Sequence, residues 1–189
     1  MNGKSFFEKP SSLRAWRVAA MVALLALAVC LPVRGDEPYG RTRDYDLQNA
    51  RMNLRFDVEQ KKVIGEVTHT LAALRGGVTA LVFDSVDLSI QSVTVGGKTA
   101  KFETTAAKLR VTLDKPSAAG EKYVVAIRYE GRPKKGLYFI LPDKNYPDRP
   151  TQVWTQGEAE DTRFYVPIYD YPDDRTATEM ILTVPAKWV

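Results

Sequence analysis

The chain has 189 residues and a formal net charge of +4, with one histidine and one cysteine. Lys4, Lys9, Arg14, Arg17 and Arg34 against Glu8 account for the whole excess, so residues 36–189 are neutral and present no electrostatic footprint for nucleic acid or an anionic membrane. So few histidines and cysteines exclude a disulfide framework and a catalytic zinc site with three protein ligands built from this chain alone.

The basic leader runs into an apolar stretch from Val18 to Val33, shorter than the roughly 20 residues a spanning helix needs. Basic start, apolar run and small-residue exits predict a secretory signal peptide over 1–35, hence export to a periplasmic or extracellular space and no membrane contact after cleavage. Ala26-Leu27-Ala28 and Val33-Arg34-Gly35 are the candidate cleavage sites, the second preferred because polar chain starts at Asp36. An uncleaved signal anchor is the alternative. Cys30 lies inside the apolar run and is preceded by Val29, a poor fit to lipid attachment.

Residues 36–43 are polar and turn-rich and read as a linker. From Tyr45 onward the pattern is β. Met52, Leu54, Phe56 and Val58 alternate with Arg51, Asn53, Arg55 and Asp57, the period of a half-buried strand. Val67, His69 and Leu71 share one face of the next. Ala80 to Phe83 is a short apolar run after the Gly76-Gly77 turn. Leu88 and Ile90 are out of phase with Val93 and Val95, with the change at Gln91-Ser92, and Gly96-Gly97 predicts a hairpin turn. Leu109, Val111 and Leu113 alternate cleanly, as do Tyr123, Val125, Ile127 and Tyr129.

Leu137 to Ile140 is a further short strand, followed by a long proline-bearing loop over 143–151. Met180 to Val184 restarts strand character and stops with no hairpin partner in view. Short strands every 10–15 residues, without an amphipathic helix, predict one all-β domain over 44–189: an antiparallel two-sheet β-sandwich lacking its last strands. That length supports a single core and leaves no room for a second, catalytic domain.

Chemistry-bearing residues concentrate between Trp154 and Asp174, where Glu158, Glu160, Asp161, Asp170, Asp173 and Asp174 stand among aromatics and Arg163. Unpaired buried carboxylates are very costly, so this segment belongs at a rim, in a cleft or in an ion-pair network. His69 occupies an apolar strand position and reads as a packed residue rather than a ligand. A serine triad lacks its base and its G-x-S-x-G elbow. Glu158 with Asp170 is the best carboxylate pair for glycoside hydrolysis, although a solvated acidic rim fits better. Asp170, Asp173 and Asp174 do not match the spacing of an EF-hand calcium loop.

Trp154-Thr155-Gln156-Gly157-Glu158 through Asp161-Thr162-Arg163, with Pro167 and the strand motifs Leu54-Arg55-Phe56-Asp57, Val63-Ile64-Gly65-Glu66-Val67 and Gly136-Leu137-Tyr138-Phe139, resembles the N-terminal domain of the aminopeptidase-N family of zinc metallopeptidases. The resemblance covers nearly all of residues 44–189. It implies a saddle-like β domain that packs against a thermolysin-like catalytic domain, and zinc held in that domain. No metal is expected in this chain, which lacks the G-A-M-E-N loop and H-E-x-x-H, so no catalytic residue is expected either.

By position, the resemblance makes Glu158 the residue that binds a peptide's free α-amino group and Gln156 a residue of the first side-chain pocket. Arg163 is expected to pair with Asp161 or Asp170 and hold the loop. Pro167-Ile168-Tyr169-Asp170 stands where the family often has Pro-Cys-x-Asp, an apolar exchange. The competing expectation is a stand-alone extracytoplasmic β-sandwich that binds a basic peptide or protein through Tyr165, Tyr169, Tyr171 and the neighbouring acids.

Overall fold

The computed structural model describes residues 41–188. The predicted signal peptide and the first part of the predicted linker lie outside the described residues. The end of that linker is tied down, because Arg41 pairs with Asp84 and Arg43 with Asp174.

The described chain is all-β, as the alternation predicts. Its elements are β1 (Tyr45–Asp57), β2 (Lys62–Ala73), β3 (Ala80–Asp84), β4 (Leu88–Val95), β5 (Lys98–Thr99), β6 (Phe102–Thr104), β7 (Lys108–Thr112), β8 (Lys122–Gly131), β9 (Leu137–Ile140), β10 (Gln152–Thr155) and β11 (Ala177–Thr183), with a 3-10 turn over Thr162–Phe164. They form a six-stranded sheet in the order β11-β1-β2-β8-β4-β5, a three-stranded sheet β3-β7-β6 and a β9-β10 hairpin.

The inward face of the large sheet repeats the sequence alternation. Met52 lies opposite Val67 and Ala50 opposite His69, and Val67 and His69 in turn face Ile127 and Val125 of β8. All six are buried. On the small sheet Leu81 faces Val111 and Phe83 faces Leu109, again fully buried. Phe83 joins the two sheets: its ring stacks on His69 at 4.9 Å and meets Tyr45 at 5.5 Å. Burying a side chain of that size contributes about 2 kcal/mol. The change of phase at Gln91-Ser92 is a β-bulge between Ile90 and Ser92, which lets both halves of β4 keep apolar residues inward.

Two features depart from the expected pattern. A second bulge, between Leu47 and Asn49, shifts the register of β1 against β2. The last strand, β11, takes β1 as its partner, and this pair is parallel, with Asn49 opposite Ala177 and Arg55 opposite Thr183. Parallel neighbours require a long return path, and the segment between β10 and β11 supplies it. Phe139 of the β9-β10 hairpin meets Phe56 near the C-terminal end of β1; Pro167 then reaches His69; Asp174 and Thr176 reach Leu47 near the other end. The segment therefore runs back along the core face before β11 turns up beside β1. Every residue of β11 is exposed, Met180, Ile181 and Leu182 included.

Candidate functional site

The acidic segment leaves β10 under tight geometric control. Gln156 N–H donates to the Gly136 carbonyl at 2.8 Å, and Asp161 N–H to the Gly157 carbonyl at 2.9 Å. Gly136 has φ +75, and a Cβ there would lie 1.9 Å from the Asp161 carbonyl oxygen, so only glycine fits. A Cβ on Gly157 would lie 2.5 Å from Thr162 Oγ1. Between these contacts the chain turns through Glu158 and Ala159. On the preceding hairpin Trp154 stacks on Tyr138 at 4.5 Å, with about half of its surface exposed.

The far part of the segment is anchored by Arg163 and Asp84. Arg163 donates its backbone N–H and Nε–H to Asp170 Oδ2 at 2.9 and 3.1 Å, and Nη2 to the Asp170 carbonyl at 2.6 Å. The same Nη2 pairs with Glu160. Nη1 lies 3.7 Å from Asp84, whose side chain is fully buried. Asp84 also receives the two-pronged guanidinium of Arg41 at 3.1 and 3.2 Å, the ammonium of Lys108, and the Asp170 N–H at 3.0 Å. Burial alone would raise the Asp84 pKa; hydrogen bonds from Arg41, Lys108 and the Asp170 amide outweigh it and hold the carboxyl below its ordinary value.

Aromatic rings close the cluster. Arg41 sits over Tyr169 at 5.1 Å and Tyr171 at 5.5 Å. Burial, with help from Asp173, pushes the Tyr169 hydroxyl up to about 12. His69 reaches the segment from β2: its Nε2–H donates to the Pro167 carbonyl at 2.8 Å, which fixes the tautomer. Desolvation lowers its pKa to about 4, only partly countered by that hydrogen bond, so the ring is neutral at pH 7.

The residues singled out from the sequence thus fall into three groups. Arg163 and Asp170 meet directly, whereas Asp161 does not reach Arg163; its carboxylate lies 3.9 Å from Lys135 and its backbone packs on Gly136. Glu158 and Gln156 are exposed, and Glu158 has no ion-pair or hydrogen-bond partner among the described residues. The third group is committed to the fold. Asp170 is buried on Arg163 and unavailable as a hydrolytic partner of Glu158, and Asp174 accepts from Arg43 and Leu47 N–H rather than facing a cation site.

Tyr165 and Tyr169 are buried at 6% and 8% exposure, so two of the three tyrosines expected to form a recognition surface belong to the core, and Tyr171 is half-buried against it. Asp84, the hub of the network, was not singled out from the sequence. An acid closing an apolar run reads as a turn residue, and only the tertiary fold brings Arg41, Lys108 and Arg163 around it.

Chemically, this leaves one free carboxylate on a loop braced at both ends, suited to gripping a cation. No group of three or more His, Cys, Asp and Glu among the described residues is placed to hold a metal ion, and the single histidine is already engaged.

Comparison with known proteins bears on the fold and the family. The sequence profile of the Peptidase M1 N-terminal domain matches residues 42–189. Among curated relatives, leucine aminopeptidase 2 of Coccidioides immitis is 23% identical over 162 residues, spanning 82% of this chain and 26% of that protein. Leukotriene A-4 hydrolase of Xenopus laevis is 23% identical over 148 residues, 75% of this chain and 24% of that protein. A variant of the M1 zinc metallopeptidase of Deinococcus radiodurans, solved with a Tyr-Ser-Ala substrate, superposes with a TM-score of 0.64 at 26% identity, over 79% of this chain and 34% of that one. The chain spans about a quarter of the length of the curated relatives it matches.

Proposed function

The chain belongs to the Peptidase M1 N-terminal domain family, and from that premise we propose that it is the substrate-anchoring domain of an exported zinc aminopeptidase that removes N-terminal residues from peptides. The observation that carries the reading is the state of Glu158: an exposed carboxylate with no partner among the described residues, on a loop where Arg163 engages Glu160 and Asp170.

A carboxylate beside a peptide's terminal ammonium makes a charge-assisted hydrogen bond that an internal residue cannot reproduce, so it selects chain ends. Gln156, two residues earlier and also exposed, offers an amide to the first side chain of the same peptide. Bond cleavage belongs to a thermolysin-like domain outside this segment, where zinc would polarise the scissile carbonyl. The residues described here offer no ligand set for that ion, and in this reading the segment alone is inactive. The basic leader and its apolar run support export, with the enzyme acting in a periplasmic or extracellular space.

The test is Glu158→Ala in the enzyme that carries this domain together with its zinc domain. Losing a hydrogen bond to a charged group predicts a fall of about 10- to 100-fold in kcat/KM for peptides with free N-termini. An unchanged specificity constant would remove the assignment.

A further inference from the structure

We propose that Asp84 is a positioning residue for Glu158: from the end of β3 it fixes the far side of the loop whose near side presents the amine-binding carboxylate. The inference rests on the substrate-anchoring reading and extends it to a residue that touches no substrate.

Asp84 and Ile168 exchange both backbone hydrogen bonds, at 2.7 and 3.0 Å, forming an isolated antiparallel bridge at the end of β3. The Asp84 side chain, fully buried, accepts the Asp170 N–H and draws Arg41, Lys108 and Arg163 onto itself. Next to it, Val86 N–H donates to the Arg163 carbonyl at 3.0 Å. Three successive attachment points, at residues 163, 168 and 170, therefore lie within three residues of β3 and the turn after it.

The near side of the loop is held at Gly136 by the Gln156 N–H, and the turn that carries Glu158 closes from Gly157 onto Asp161 and Thr162, which lead directly into Arg163. Glu158 has no hydrogen bond or ion pair of its own among the described residues, so its placement follows the turn, and the turn is closed on the residues that Arg163 and Asp84 hold. A buried ion cluster is a weak device for stability alone, since well-packed apolar groups often serve as well. What apolar groups cannot supply is directional bonding to one amide and one guanidinium fork.

The experiment uses the whole enzyme, zinc domain included, and measures inhibition constants for a free-amine dipeptide and its N-acetyl derivative. Their ratio reports recognition of the ammonium and is insensitive to the fraction of protein folded. Asp84→Asn should lower that preference about 10-fold, as expected when a binding group is displaced by a fraction of an ångström to about 1 Å. Hydrogen exchange should quicken at amides 157–170 and stay unchanged in β2 and β8.

If Asp84→Asn fails to fold, Arg41→Gln removes the two-pronged partner of the carboxylate and should move the ratio in the same direction. Glu158→Ala is run in parallel. Should it lower the preference while folded Asp84→Asn, or Arg41→Gln in its place, leaves it unchanged, the positioning role is overturned and the anchoring reading stands. A preference unmoved by Glu158→Ala would overturn both.

Discussion

Arg163 closes on Asp170 with three donors, its backbone N–H, Nε and Nη2, and both side chains are largely withdrawn from water. Such a pair is costly to break from one side, because the remaining charge stays buried without a partner. Arg163→Ala should therefore destabilise the domain by about 3–5 kcal/mol, read as a lower urea midpoint. Arg163→Lys should lose less, since it keeps the charge but not the fork.

His69 gives the fold a pH dependence of definite sign. Its folded pKa is about 4 against an ordinary 6.5, so between those values the unfolded chain binds the proton and the folded one does not. Stability is then constant above 6.5, falls as pH drops toward 4, and loses about 3 kcal/mol in all from this group. His69→Phe should flatten the profile in that window when urea midpoints are compared at pH 7 and pH 4.5. Asp84 acts in a separate, lower window: with its folded pKa depressed, its contribution is intact above the ordinary 3.8 and lost as pH falls through the folded value.

The approach of Gly157 to Thr162 can be tested as a pair. Gly157→Ala places a methyl 2.5 Å from Thr162 Oγ1 and should cost about 1–3 kcal/mol through overpacking. In Thr162→Ala the obstructing oxygen is gone, so adding Gly157→Ala should cost much less. A double-mutant cycle in urea returns the coupling, and additive losses would show that the contact does not limit the site.

Ile181 of β11 is 41% exposed and Leu182 50% exposed, on a strand with one unpaired edge. An exposed apolar edge invites pairing with other chains. The 189-residue polypeptide should associate with rising concentration in light scattering. Ile181→Lys should suppress that association while changing unfolding free energy by no more than about 0.5 kcal/mol.

How far the sequence spoke for the fold depended on the kind of contact. Met52 and Leu54, or Val67, His69 and Leu71, announce their buried face by simple alternation, and even the bulge in β4 is visible as a change of phase at Gln91-Ser92. Alternation is silent on which strand lies alongside and in which direction, so nothing in Ala177–Thr183 declares β1 as a parallel neighbour. Charge is silent in the same way. Glu158 and Asp170 look alike in the sequence, yet one is solvent-facing and the other is enclosed by Arg163, because their surroundings come from β3 and the chain near Arg41.

The parallel alignment of β11 with β1 also sets where a continuing polypeptide would emerge. Beyond Thr183, Pro185, Lys187 and Trp188 line a groove of about 840 Å³ together with Leu141 and Thr151, which flank the tip of the β9-β10 hairpin. That hairpin spans about 13 Å and leads at its other end to Gln156 and Glu158. A further module joined there would be tethered one short hairpin away from the exposed carboxylate of Glu158, and the leash itself would raise the local concentration of that module around the loop.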